Sequence, residues 1–511
     1  MSAAACDTLI RNARVIDGSG GPAFAADVAI TDGRIVSIIP RDAIIPCDAM
    51  FSSAAPPALP HANHVIDAAD KVLCPGFIDV HTHDDLTVLQ APTLLPKLSQ
   101  GVTTVVVGNC GISAAPVRLI TAEPPDPMNL LGGTADFRFP TFSAYAAAVD
   151  AANPAVNVAA LVGHTALRNN HLDRLDRAAT PSEIDGMRAQ LREALSAGAL
   201  GLSTGLAYAS ANSAPLDELL ALAEPLTEAG ALYATHLRTE FAGILDALAE
   251  AFGIGRHARV PVIVSHLKCA GIDNWGRSGQ VLGALEDAHP HQPLGYDCYP
   301  YAASSSTLDL KQVTDRFDIF ITWSTPFPDM GGRLLADIAA AWQVDLLTAA
   351  RRLQPAGAVY HGMSPADVDR ILSHPGAAVG SDGLPNDPRP HPRLWGTFPR
   401  VLGHYSRDRQ LFPLTEAVRK MTGLSAGRFG LTDRGLVRAG YWADLVLFDP
   451  ATVRDTATFA DPIRAADGID AVWVNGVLSY TGDAADHSRP RQATGQRAGR
   501  FLRRGPLRFA A

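Results

Sequence analysis

Six residues able to bind a metal recur in order along the chain: His81 and His83 in HTHDD, Cys110 in GNCG, His236 in ATHLR, His266 in VSHLK and Asp382 in GSDG. Each stands at the downstream end of a short apolar run. Imidazole nitrogen, thiolate and carboxylate are donors that zinc accepts, so a single chemistry unites them: one or two zinc ions hydrolysing an amide. His81 and His83 are two apart and would share one side of a strand. A lone histidine is more often a core residue, whereas HxH behind PGFIDV is far more specific. Cys110 follows a Val-rich run and would by default be a small buried hydrophobe. At a shared mouth its thiolate becomes a strong, soft ligand. Asp382 is placed for general acid and base work, because zinc acidifies water and a nearby carboxylate can pass the proton to the leaving amine. Its bland alternative is the cap of the following segment.

Lys268, one of only five lysines, lies two residues past His266. It would anchor a substrate carboxylate, or else pair with a neighbouring acid. Tyr299 and the hydroxyl run Ser304, Ser305 and Ser306 would complete such a pocket. Cys269 and Cys298 are second choices as ligands, with packing beside the site favoured. Asp84 and Asp85 are expected to orient the histidines or cap a helix. Many binuclear barrel hydrolases bridge their metals with a carbamylated lysine on strand four. No lysine lies between Lys97 and Lys268, so Cys110 is the available bridging or anchoring anion.

Positioning these groups at one mouth requires parallel strands. The runs GFIDVHTH, VTTVVVGNC, VNVAALVGHT, GALGLST, ALYATHL, VPVIVSHL, LGYDCY and GAAVGSD alternate with helical patterns, the signature of βαβ units. His81 to Cys110 and His236 to His266 are each close to the ~30 residues of one unit, which predicts an α/β fold with a TIM-like (β/α)8 barrel. The interval from Cys298 to Asp382 is too long for one crossover and predicts an inserted subdomain at about residues 302–361 after strand seven. Residues 1–70 and 431–485 carry short alternating strands and tight turns and are expected to form one small β-sandwich domain from both termini. The barrel then spans 71–430. Residues 486–511 form an arginine-rich tail, with Arg489, Arg491, Arg497, Arg500, Arg503, Arg504 and Arg508, expected to be a solvated cover on the body or a neighbouring subunit.

The 511 residues are 47% hydrophobic and 19% charged, enough for a large core. A net charge of −9 disfavours nucleic acid. No apolar run approaches the ~18 residues of a membrane span, and the first residues lack a leader pattern. Six sparse cysteines, including Cys6, Cys47 and Cys74, read as reduced thiols. A cytoplasmic enzyme acting on a small molecule is expected, and an oligomer is compatible.

The segments PGFIDVHTHDD, GVTTVVVGNCGISAAP, GALGLSTGLAY, YATHLRTE, SHLKCAG, DCYPYAASSSTL and VGSDGLPNDPRPHPRLWGTFPRVLGHYSRD closely resemble the N-acyl-D-amino-acid deacylases, or D-aminoacylases, of the amidohydrolase superfamily. The resemblance runs from Asp7 to about Thr481. It implies a tight zinc on Cys110, His236 and His266, and a weaker second site from His81 and His83 with Asp382. It also implies Asp382 as the acid and base, with Lys268, Tyr299 and Ser305 on the substrate's α-carboxylate. D-stereochemistry comes from the resemblance alone. A cation for a distal carboxylate would come from Arg238, Lys311 or Arg393. None is singled out, so a neutral or hydrophobic side chain is expected, with N-acyl-D-glutamate or N-acyl-D-aspartate as the alternative. A cyclic-amide hydrolase of hydantoinase or dihydroorotase type is disfavoured by the missing lysine. An inactive barrel used as an interaction module is disfavoured by the intact ligand set.

Overall fold

The computed structural model describes residues 6–41, 60–482 and 492–509; Cys47, Arg489 and Arg491 lie outside them. The eight apolar runs fold as parallel strands: Phe77–Asp79, Val102–Val107, Asn157–Ala160 continued by Val162–Gly163, Gly201–Gly205, Leu232–His236, Val262–Val264, Leu294–Cys298 and Ala377–Val379. Strands adjacent in sequence pair side by side, each ladder parallel. Between the last and first strands no ladder forms among the described residues; the backbones meet at the Thr82–Gly383 bridge and through the Asp382 N–H, which donates to the His81 carbonyl at 2.8 Å. This is the expected (β/α)8 barrel.

The period of two along each strand decides its packing. Ile78, Val106, Ala159, Leu161, Leu232, Ala234, Ile263 and Ala378 share one cluster that fills the ring. Their alternates, among them Phe77, Val105, Val158, Val262 and Val264, join the outer helices in a second, larger core. Helices start where sequence signals allow: Thr180 caps Pro181–Ser196 in a capping box with Glu183, satisfying N–H groups that the helix leaves open.

The tail is a bound segment. Leu502, Leu507 and Phe509 pack on the ring-filling cluster, and Phe501 sits edge-on to Phe142 and Tyr145. Its backbone lies alongside strand three in a parallel bridge, with Val158 N–H donating to Arg500 O at 3.0 Å and Leu502 N–H to Val158 O at 2.7 Å. The tail therefore does not extend into solvent over this stretch.

Both ends of the chain contribute to one nine-stranded sheet. Val72–Pro75 lies parallel to Cys6–Val15 and antiparallel to Leu445–Phe448, and Ile10, Val28, Leu73, Leu445 and Trp473 share its core. After strand seven, Ser304–Thr307, Ile319–Ser324, Arg333–Leu334 and Ala356–Tyr360 form a four-stranded sheet. It packs with two helices on its own core around Ile321, Ile338 and Leu353. Among the described residues, no helix is long and apolar enough to cross a membrane.

Candidate metal centre

His81 and His83 lie just past the first strand, whose ladder ends at Asp79, and not on the strand itself. Three other ligand candidates leave their strands through left-handed backbone: Cys110 at φ +54°, His266 at φ +36° and Asp382 at φ +49°. Such a conformation is costly for a side chain bearing Cβ and is kept only where surrounding packing imposes it. Glycine makes room beside Cys110. A Cβ on Gly111 would stand 2.6 Å from the Gly205 nitrogen, and one on Gly108 would stand 2.2 Å from the Leu161 carbonyl oxygen.

These turns bring all six residues together. His81, His83, Cys110 and Asp382 offer ligand atoms within 4.8 Å of one another, and so do Cys110, His236 and His266. Cys110 belongs to both groups. Its sulfur lies 3.1 Å from His81 Nε2 and 3.3 Å from His266 Nε2, while His83 Nε2 lies 3.2 Å from Asp382 Oδ1. The second nitrogens of two rings are held from behind, which fixes the orientation of the first. Asp297 Oδ1 is 3.2 Å from His81 Nδ1, and Glu240 Oε1 is 3.0 Å from His266 Nδ1.

The electrostatics favour anionic sulfur and carboxylate. Burial opposes the charge on Cys110, but His81 and His266 outweigh it and hold the thiol well below its ordinary range. Burial likewise opposes the Asp382 carboxylate, yet Arg393 and His81 keep it well below the usual range. Burial works against protonation of His83, but Asp382 and Cys110 raise it to about 9. A divalent cation fits this donor set. His83 Nδ1 and His236 Nδ1 are buried without a hydrogen-bond partner among the described residues, and thiolate, imidazole and carboxylate in a closed cluster are zinc's donors.

Above the cluster lies a cleft of about 730 Å³ bordered by His83, His236, Lys268, Ser305 and Asp382. Lys268 is buried and paired with Glu240, and its ammonium also donates to the His266 carbonyl at 3.0 Å. The Ser305 hydroxyl is buried without a hydrogen-bond partner among the described residues. Tyr299 does not border the cleft; its ring lies under the Arg393 guanidinium, 4.6 Å from ring centre to Cζ, and its hydroxyl reaches Met363. Cys269 and Cys298 are buried outside the donor groups.

The carboxylates that orient the histidines are Asp297 and Glu240, not Asp84 and Asp85. Asp84 pairs with Lys97 at 3.1 Å, and Asp85 accepts the Ala114 N–H at 3.1 Å. A signal for Glu240 exists in THLRTE, four residues past His236, and for Asp297 in the acid inside LGYDCY. Sequence reasoning also missed Tyr208, whose ring lies 4.9 Å from that of His236 at the cleft. Arg393, a candidate substrate cation in the sequence, instead places its Nη1 2.9 Å from Asp382 Oδ2, an ion pair by distance without hydrogen-bond alignment.

Residues 64–480 match the model of the amidohydrolase family. The chain is 49% identical over 490 residues to N-acyl-D-aspartate deacylase of Alcaligenes xylosoxydans xylosoxydans, covering 96% of this chain and 95% of that protein. It is 47% identical over 498 residues to D-aminoacylase of the same organism, covering 98% of each. Among solved structures, N-acyl-D-glutamate deacylase from Bordetella bronchiseptica, complexed with zinc and a phosphonate inhibitor, superposes with a TM-score of 0.89 at 44% identity, over 98% of this chain and all of that one. Family model, relatives and superposition converge on one assignment: the chain belongs to the amidohydrolase family, within its N-acyl-D-amino-acid deacylase branch.

Proposed function

We propose that this protein hydrolyses N-acyl-D-amino acids to a carboxylate and the free D-amino acid, using zinc. The observation that carries this is the pair of donor groups sharing Cys110 beside a carboxylate at the cleft. The likeness to D-aminoacylase supports the substrate's configuration. Cys110, His236 and His266 would hold one zinc, and His81, His83 and Asp382 with Cys110 a second, weaker one. Zinc there supplies Lewis-acid activation of water and of the acyl carbonyl. Asp382, kept ionised by Arg393 and His81, enters as a base, takes the attacking water's proton and delivers it to the leaving nitrogen. Lys268 and Ser305 border the cleft and would take the α-carboxylate, with Tyr299 supporting them from beneath Arg393. Five unpaired buried thiols among the described residues suit a reducing, cytoplasmic setting.

An acidic substrate side chain is the finer reading that the cleft supports, in place of the neutral one. Arg238 is engaged bidentately by Glu250, and Arg393 by Asp382 and the Ser305 carbonyl. Lys311 stands exposed on the cleft wall, and its ammonium has no ion pair among the described residues. Nearby Asp309 is occupied by the Lys311 N–H at 2.9 Å and by Gln312. A distal carboxylate would meet that free ammonium. The test is kcat/KM for N-acetyl-D-aspartate, -D-glutamate and -D-methionine and their L counterparts. Wild type should prefer an acidic D substrate. Lys311→Met should lower kcat/KM for acidic substrates about tenfold or more, the worth of a charge-assisted hydrogen bond, and spare D-methionine. Preference for D-methionine in the wild type would restore the neutral reading, and preference for L substrates would remove the proposal.

A further inference from the structure

Lys97 has no part in the chemistry described so far, yet it is completely buried on the short helix Leu95–Leu98. Its Nζ donates to Asp79 Oδ2 at 2.8 Å and to Ser381 Oγ at 3.1 Å, and lies 3.1 Å from Asp84 Oδ2. The other oxygen of Asp79 accepts the Ser381 N–H at 2.7 Å and the His81 N–H at 3.4 Å. One ammonium thus gathers the residue two before His81, the residue after His83 and the residue before Asp382. It does so at the seam of the barrel where, among the described residues, no ladder forms and the backbones meet at the Thr82–Gly383 bridge and the Asp382 to His81 bond.

Burying an ammonium is expensive, and an apolar replacement often stabilises a core equally well. What an apolar side chain cannot supply is a three-way contact that sets the distance between two segments. We propose that Lys97 is a positioning residue that fixes the His81–His83 pair against Asp382, acting through Asp79, Asp84 and Ser381. It sits behind these segments, bonded to none of the donor side chains. The inference rests on the cluster being the hydrolytic centre. Its consequence is specific: the donor group made by His81, His83 and Asp382 spans the seam, whereas Cys110, His236 and His266 come from strands joined by regular ladders.

Lys97→Met in the full-length, zinc-loaded protein should therefore keep the tightly held zinc while weakening binding of a second equivalent. On the best N-acyl-D-amino acid it should lower kcat by about 10–100-fold, the usual cost of losing a group behind a metal ligand, with KM within about twofold. Zinc content after dialysis, titration of a second zinc equivalent and the kcat/KM split are the measurements. If Lys97→Met does not fold, Asp79→Asn/Lys97→Met removes the charged pair together and is read the same way. A folded variant of either kind with wild-type kcat, pH profile and second-zinc affinity overturns the proposal, as does a loss confined to melting temperature. Failure of both variants to fold assigns Lys97 a purely structural role and also overturns it. If the wild type hydrolyses no N-acyl-D-amino acid, the functional assignment fails, while the second-zinc titration still decides whether Lys97 places the donors.

Discussion

Cys110 and Asp382 differ in what their loss should reveal. Cys110 belongs to both donor groups, so Cys110→Ala should strip the tightly held zinc, read by elemental analysis after dialysis. Asp382 belongs to one group and carries the proton in the proposed reaction. Asp382→Asn should keep the tight zinc and lose about 10²–10⁴ in kcat, the usual contribution of a general acid and base. Zinc retained at the wild-type level in Cys110→Ala would remove the sulfur from the centre. Protonation of the metal-free cluster makes a further prediction. His83 and His266 are raised to about 9, and His81 lies well above its ordinary value. For His266, burial and Lys268 oppose the proton, but Cys110 and Glu240 outweigh them. Below about pH 9 the His83 and His266 rings hold protons that zinc must displace. Zinc affinity should therefore rise from pH 6.5 to about 9 and level off, with proton release on binding near pH 7.5. Calorimetry in buffers of different ionisation enthalpy measures both, and a pH-independent affinity would contradict the protonated rings.

At the scale of elements, the strand ends matter more than the strands. The ladders fix the heights of eight chain segments, and left-handed turns at Cys110, His266 and Asp382 re-aim the ligands. The GNCG turn depends on glycine in a way that can be tested. Gly111 sits at φ +77°, and a Cβ there would meet the Gly205 nitrogen of strand four at 2.6 Å. That neighbour is backbone and cannot swing aside. Gly111→Ala should cost on the order of 1–3 kcal/mol in local strain alone, lower the melting temperature and reduce zinc content together. A variant that melts lower but holds zinc normally would show that the turn does not place Cys110.

For the whole molecule, the tail closes the barrel from below. Phe501 is 4% exposed and packs on Phe142 and Tyr145, while Leu502, Leu507 and Phe509 cover the ring-filling cluster. Phe501→Ala should destabilise the fold by roughly 3–5 kcal/mol, the range for a buried phenylalanine. Thermal denaturation should show this with zinc content unchanged, because the affected packing is remote from the strand ends that carry the donors. Loss of zinc in proportion to the lost stability would instead tie the tail to the metal centre.

Much of this architecture is legible in one dimension. Short apolar runs, spaced by helical patterns, announce eight parallel strands, and HTH, GNCG, THLR, SHLK and GSDG place a donor at the end of each relevant one. Such signals are local because ladder geometry and side-chain alternation are local. The partners of the donors are not local. Asp297 stands 216 residues from His81, and Lys97 stands 284 residues from Ser381. No periodicity relates them, and only closure of the ring brings the first strand beside the last. Arg393 looks in sequence like a free cation for substrate, but folding commits it to Asp382, and Lys311 has no ion pair among the described residues. The tail's arginines suggest a solvated segment, but its interspersed Phe501, Leu502, Leu507 and Phe509 find apolar surface that exists only once the barrel has formed. The sequence by itself determined the strands, the donor types and the family. Tertiary structure alone decided which charges pair, which remain free, and how the barrel seam holds the donors in register, because those outcomes depend on distances between segments remote along the chain.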